Sequence, residues 1–186
     1  VSPGFAASLL EGELEFVTDR FRLRPLDAGD EAGLFSHLSD PAVTRFMDIE
    51  ALVDPDQAAG IIAWARSIRS DGAGVRWAIR ALLDGRFVGT CGFNSLIFDR
   101  GCRGEVAYDV SKALWGERVM DEVLPRVLAF GFASLGLRRI EALVTEGNDP
   151  SCRLLERHDF AREGLLRQHG FWKDRFWDQV LYARIG

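Results

Sequence analysis

Cysteine is scarce. Three residues, Cys91, Cys102 and Cys152, stand far apart and in odd number. That excludes a disulfide framework and leaves no thiolate cluster for zinc. Reduced thiols in a cytoplasmic protein are the expectation. Long apolar runs are missing too, and none approaches the roughly 18 residues of a membrane span. Positive charge does not predominate. A net charge of −5 counts against DNA or an anionic membrane as the main partner, although a local basic patch is compatible with it. The opening VSPGFAASLLEGE has neither a basic n-region nor a long apolar h-region, so it does not read as a signal peptide. There is no internal repeat. What remains is a composition 47% hydrophobic and 27% charged over 186 residues, enough for one domain with a real core. Residues 1–13 are expected as an extension and 14–186 as a single domain.

Leu14–Thr18 and Phe21–Pro25 alternate apolar and polar residues around Asp19-Arg20, as two short strands or one hairpin would. Asp27 stands at an N-cap position, and Ala32, Leu34, Phe35 and Leu38 give a helix over about 28–38. Asp40-Pro41 opens a further helical turn. Asp54-Pro55 is an N-cap followed by proline at the first helical position, and apolar residues then recur at helical spacing to about Arg69. Val75–Leu83, Arg86–Phe98 and Gly104–Val110 read as a three-stranded antiparallel meander, turned first at Asp84-Gly85. Gly89 and Gly92 are expected bulge or close-approach positions.

The chain is organised around Glu105–Ser134. This stretch reads as a strand, a short loop holding Trp115-Gly116, and an amphipathic helix within about 117–135. Met120, Val123, Leu124, Val127, Leu128 and Phe132 share its apolar face, and Gly136 is its candidate C-cap. A strand running into a helix N-terminus offers free N–H groups to an anion. Arg139–Thr145 is the next strand, so a crossover of this length implies that 104–110 and 139–145 lie parallel. Asn148 or Asp149 caps a short helix to about His158, and Gly164–Phe171 and Phe176–Arg184 close the chain as a hairpin. The sum is α+β, about seven strands in a mixed, mostly antiparallel sheet flanked by about four helices.

This order of elements and several local words resemble the GNAT acyltransferase superfamily, in its ribosomal-protein N-terminal acetyltransferase (RimJ/RimL-like) branch. The words are Leu23-Arg24-Pro25, Val88-Gly89-Thr90-Cys91-Gly92-Phe93, Glu105-Val106-Ala107-Tyr108, Trp115-Gly116, Leu137 to Ala142, Asn148-Asp149-Pro150-Ser151 and Leu154 to Arg157. Phe160, Glu163-Gly164, Asp178 and Tyr182 continue the match. The resemblance implies the GNAT fold and an N-acetyltransferase. It would move an acetyl group from acetyl-CoA to a primary amine, either a protein N-terminus or a small molecule, by direct attack and without a metal. Pantetheine would lie along Tyr108, Asp109 and Val110. The pyrophosphate would sit on the loop Trp115, Gly116, Glu117, Arg118, Val119 and Met120. That loop departs from the family pattern, because Arg118 and Met120 stand where small residues let N–H groups approach the phosphates. Either Arg118 pairs with a phosphate, or the two side chains fill the site. Pro125 adds a helix-interior proline, expected to kink the helix or to shift its effective start toward Leu124.

The resemblance also implies that Asn148 holds pantetheine or ordered water and that Ser151 is the acid toward the sulfur. Capping the short helix accounts for both residue types equally well. Glu105 stands where the family orients water or substrate. The carboxylate of the penultimate strand is replaced by Gly170, and the adjacent His169 titrates in the useful range. His37 is expected at the surface, His158 as a charge at a helix C-terminus, and Cys91 and Cys152 as small core residues. Phe46, Phe171, Trp172, Phe176 and Trp177 cluster in the segments that would form the acceptor pocket, which suits an amine with an apolar body. Two alternatives stay open: a degenerate member serving as a binding or regulatory module, and a different acyl donor such as a carrier-protein pantetheine or an aminoacyl-tRNA. A homodimer is open as well.

Overall fold

The computed structural model describes residues 8–12, 14–99 and 101–186. Its strands are β1 (Phe16–Val17), β2 (Phe21–Pro25), β3 (Val75–Ala81), β4 (Phe87–Ile97), β5 (Arg103–Val110), β6 (Arg139–Thr145), β7 (Ala161–Trp172) and β8 (Arg175–Ile185). Its helices are α1 (Glu31–Leu38), α2 (Pro41–Thr44), α3 (Pro55–Ser70), α4 (Val119–Ala129) and α5 (Asp149–Arg157), with residues 8–11 helical as well. The eight strands form one sheet in the order β1-β2-β3-β4-β5-β6-β8-β7. Every neighbouring pair is antiparallel except β5 and β6. This is the expected GNAT fold. The sheet has eight strands against about seven expected, and six helical segments stand against about four, the additional ones being residues 8–11 and the single turn α2.

Local chemistry starts the N-terminal helices. Asp27 forms a capping box with Asp30 on a 3-10 turn, Ala28–Asp30, that leads into α1. Asp40 accepts from the Ala42 N–H at the start of α2. Asp54 pairs reciprocally with Gln57 at the start of α3, with Pro55 at the first helical position. α1 and α3 pack together over one face of the sheet, where Leu34, Leu38, Ala58 and Ile62 enclose Ala78. The main core lies on the other face, between α4 and Trp77, Phe93, Val106 and Ile140.

Pro125 neither moves nor breaks α4. The helix begins at Val119, six residues earlier, and runs α-helically to Ala129. The proline has no N–H to give the Asp121 carbonyl, so one interior helix bond is missing, yet the α-helix continues through it to Ala129. The departure from regularity comes later, in a π turn at Phe130–Ser134. It rotates the helix face, so Phe130 is buried against Trp77 at 5.6 Å while the expected core residue Phe132 is only partly buried.

Two glycines bring strands together. A Cβ at Gly92 would lie 2.1 Å from the Val75 carbonyl oxygen, and one at Gly89, whose φ is +155°, would lie 2.2 Å from that of Asp109. Both are backbone atoms that cannot yield without moving a strand. Gly60 on α3 is the opposite case, with nothing within 4 Å of an added Cβ. Gly92→Ala is therefore expected to lower stability by about 2 kcal/mol or more, and Gly60→Ala to raise it by about 0.5–1 kcal/mol. Urea unfolding of the two variants checks the opposite signs.

Candidate active site

β5 and β6 are paired at only three positions, Arg103 with Arg139, Gly104 with Ile140 and Glu105 with Glu141. Beyond Glu105 they separate. β5 stays with β4 as far as Val110, and β6 stays with β8 as far as Thr145. The gap opens a cleft of about 1700 Å³ that reaches both faces of the sheet, from Leu38, Ile61 and Trp64 on one to Met120, Ser151 and Leu154 on the other. Alternation along β5 sends the Asp109 side chain toward α1 and the Val106 and Tyr108 side chains toward the main core beneath α4.

On the α4 face the strand ends in the loop that departs from the family pattern. Gly116 has φ +85° and Arg118 has φ +55°. Arg118 thus adopts the left-handed conformation that glycine would take, at a cost of about 1–2 kcal/mol for an L-residue. Its side chain is exposed, and no side chain caps α4. The first-turn N–H groups of Val119, Met120 and Asp121 have no intrahelical partner by construction. Met120 is 6% exposed and packs into the main core. Of the two residues that depart from the family pattern, Met120 is packed into the core while still lining the cleft, and Arg118 is exposed in a glycine-like backbone path. The Glu117 N–H bonds to the Leu114 carbonyl, and its own carbonyl accepts from Arg20. The Trp115 indole donates to the Val110 carbonyl at 2.8 Å, fixing the loop against the end of β5.

Two hydroxyls meet across the gap. Tyr108 Oη lies 2.7 Å from Ser151 Oγ. Burial pushes the Tyr108 phenol above its ordinary range, so it keeps its proton. Asn148 caps α5 by accepting from the Ser151 N–H at 3.4 Å. Glu105 sits at the point where the strands part and lines the cleft. Burial first, then the charges of Glu141 and Asp48, raise its pKa, against a smaller lowering by His169. His169 also lines the cleft, on an irregular stretch of β7 between Leu166 and Gly170, with Nδ1 2.7 Å from Gln179 Oε1. A side chain at Gly170 has no room, since its Cβ would lie 2.0 Å from the Trp172 ring. Trp172 stacks on Trp177 at 5.5 Å and 6° and occupies that space.

Sequence reasoning missed the polar cluster on the α1 face. His37 is buried, not at the surface, with Nε2 2.7 Å from Asp109 Oδ1 and Nδ1 3.1 Å from Ser111 Oγ. Asp109 Oδ2 accepts from Arg76 at 3.1 Å and from the Thr90 hydroxyl at 2.5 Å. Arg76 also reaches Thr90, Asn94 and the Ala107 carbonyl. Burial alone would raise the Asp109 carboxyl, but the bond and charge of His37, the charge of Arg76 and the Thr90 hydroxyl outweigh it and hold it below its ordinary range. The local signal was present in an acid and an arginine on strands otherwise rich in buried residues. Their pairing depends on strand order. The remaining thiol question is simpler: Cys91 is fully buried, and burial pushes it up to about 12. Among the described residues no cluster of histidine, cysteine and carboxylates is placed to hold a metal.

The site is thus a sheet split at a parallel pair, with an uncapped helix N-terminus at one end of the split and a hydroxyl pair in it. Residues 20–161 match the family model of an acetyltransferase (GNAT) domain. The chain belongs to the GNAT acetyltransferase family and is an acyl-CoA-dependent acetyltransferase. It is 35% identical to the uncharacterized N-acetyltransferase p20 of Bacillus licheniformis over 90% of this chain and 94% of that one. In structure it is similar to a putative ribosomal-protein-serine acetyltransferase from Vibrio cholerae, with a TM-score of 0.82, 18% identity, and coverage of 93% of this chain and 98% of that one. It is also similar to Mycobacterium smegmatis RimJ in complex with CoA-disulfide, with a TM-score of 0.80, 23% identity, and coverage of 89% and 81%. At these identities the two structures establish the shared fold.

Asp109→Asn leaves the buried Arg76 without its counter-ion and is expected to cost about 3 kcal/mol. Because the folded carboxyl is held low, its contribution is present above the unfolded value near pH 3.9 and is lost as pH falls through the folded value. Denaturant midpoints measured from pH 7 down to pH 2 are expected to converge for the variant and the parent at the acid end.

Proposed function

We propose that this protein moves an acetyl group from acetyl-CoA to a primary amine, a protein N-terminus or a small-molecule amine, by direct attack. The observation that carries the reading is the split between β5 and β6, with the hydroxyl pair Tyr108–Ser151 inside it and the uncapped start of α4 at its end. Three features fit the donor. The edge of β5 past Glu105 has no strand partner on the β6 side, so Tyr108 to Val110, apart from the Val110 carbonyl held by Trp115, have backbone groups to offer pantetheine amides. The first-turn N–H groups of α4 and the dipole behind them suit a pyrophosphate, with Trp115, Gly116 and Glu117 shaping the approach. The cleft exceeds the 300–1,000 Å³ usual for a single small ligand.

Acetyl-CoA, when bound, supplies the acetyl group as a thioester. Glu105, with its raised pKa, takes the proton from the incoming ammonium, and His169 and Asp48 tune it through their charges. The phenol is the stronger donor of the hydroxyl pair. With Tyr108 donating to Ser151, the serine proton is left for the departing sulfur, and Tyr108 can replenish it. Asn148 fixes the helix end that carries Ser151. His169, already held by Gln179, stands beside the base rather than in its place. The left-handed Arg118 and the core-facing Met120 favour this reading over a degenerate binding module, because the anion site keeps its backbone shape. The three unpaired cysteines support a cytoplasmic setting.

Acetyl-CoA at about 100 times its Kd is expected to stabilise the protein by about 2.7 kcal/mol, read as a rise in Tm. Ser151→Ala is expected to lower kcat about 100-fold with little change in acetyl-CoA Kd. In the parent, kcat/KM falls as acid protonates Glu105, above the pH of an ordinary glutamate, and Glu105→Gln loses that acid limb along with most of the rate. An unaltered pH profile in Glu105→Gln would remove Glu105 from the role. Arg118→Gly separates charge from shape. Relief of the left-handed conformation raises Tm, while loss of the guanidinium weakens acetyl-CoA about tenfold if it meets a phosphate. Calorimetry reads both.

A further inference from the structure

The α1–α3 face of the cleft has a chemistry of its own. α3 buries Ala58, Ile62 and Ala65 in the second core and presents Gly60, Ile61 and Trp64 to the cleft, three and four residues apart on one helix face. Trp64 is 43% exposed, large for an indole, and one turn earlier nothing lies within 4 Å of a Cβ added at Gly60. Phe171, 62% exposed, lines the same cleft from β7.

The polar groups of this end are either acidic or already used. Asp48 and Glu105 are its carboxylates. Of its cations, Arg76 is paired with Asp109, while the exposed Arg45 lies over the Phe46 ring at 5.0 Å. The side-chain carbonyls of its three amides are taken as well. Gln57 accepts from Val53 and Asp54, Gln179 lies on His169, and Asn94 accepts from Arg76. A peptide chain entering here would find the side-chain amide carbonyls of Gln57, Gln179 and Asn94 already occupied. An ammonium on a flat apolar body would find carboxylates at one end and aromatic surface at the other.

We infer that the acceptor is an arylalkylamine, its ring against the Gly60–Ile61–Trp64 face of α3 and its ammonium toward Asp48 and Glu105. This rests on the acetyl-transfer reading above and goes beyond it by choosing among amines. Glu105 takes one proton from the ammonium, the neutral amine forms the amide C–N bond as the C–S bond breaks, Ser151 gives its proton to the sulfur, and the second proton leaving nitrogen restores the hydroxyl pair, so CoA thiol, N-acetylamine and one proton released from Glu105 are the products.

The test combines binding and turnover. CoA-loaded protein is titrated calorimetrically with phenethylamine, n-propylamine, spermidine and a seryl-alanyl peptide, and thiol release from acetyl-CoA is followed with each. Phenethylamine is expected to bind at least about tenfold more tightly than n-propylamine, the worth of burying one ring, and to have the highest kcat/KM. Gly60→Phe places a ring one turn before Trp64 in a site that is open to a side chain. It is expected to reduce the preference for phenethylamine over n-propylamine about tenfold or more, and Trp64→Ala to reduce it in the same direction. Tighter binding of spermidine or of the peptide overturns the inference, as does a preference that Gly60→Phe leaves intact. Phenethylamine binding without thiol release would instead count against the acetyl-transfer reading and leave the binding preference standing.

Discussion

Everything at this site depends on a junction only three residue pairs long. β5 is held along its outer edge by eight register pairs to β4, and β6 by seven to β8, yet the two meet only at 103–105 and 139–141. The sheet therefore behaves as two half-sheets joined at Gly104-Glu105. Gly92 and Gly89 let β3, β4 and β5 approach closely, while Thr145 at the end of β6 donates to the Phe46 carbonyl at 2.8 Å. Free backbone edges are ordinarily a liability in a sheet. Here the exposed edge lies inside a cleft, where a ligand with amides of its own can satisfy it.

The order of elements was legible because it is written in local chemistry. Asp27, Asp40 and Asp54 announce helix starts, Asp84-Gly85 a turn, and the alternation in Val75–Leu83 a strand. The parallel β5–β6 pair followed from connection length alone. Glu105, Tyr108 and Ser151 were found by their place in the order of words, but the 2.7 Å contact between Tyr108 and Ser151 was not, since 43 residues separate them. His37 was misjudged for the same reason. Its single-helix context suggests solvent, and only the packing of α1 on β5 gives it Asp109 as a partner 72 residues away. Arg118 and Met120 show a different limit. Their side chains argue against an anion site, and the outcome turns on one backbone φ and on where α4 begins.

Charge is sorted by face. Toward α1, the buried cation Arg76 is matched by Asp109, so the site gains rigidity there without a net field. A little further along the same strand Glu105 has the carboxylates of Glu141 and Asp48 as neighbours instead, opposed by His169. The two carboxyls, four residues apart on β5, are driven in opposite directions by their surroundings. Asp109 is fixed as an anion and serves structure. Glu105 is left able to change state, which is what proton transfer at neutral pH needs.

The placement of aromatics then decides where an acceptor can stand. At Gly170 the Trp172 ring fills the space in which a carboxylate would otherwise face the cleft, and its stack on Trp177 holds it there. Removing a base from β7 leaves Glu105 as the carboxylate at the fork of the strands. On the proposed reading, an amine using it comes from the α1–α3 side, past Trp64 and Asp48, and meets the split from the face opposite α4. The donor-side groups, the start of α4 and the Tyr108–Ser151 pair, lie on the other face. The same three-pair junction that frees the edge of β5 thus also keeps the two approaches apart until they meet in the gap.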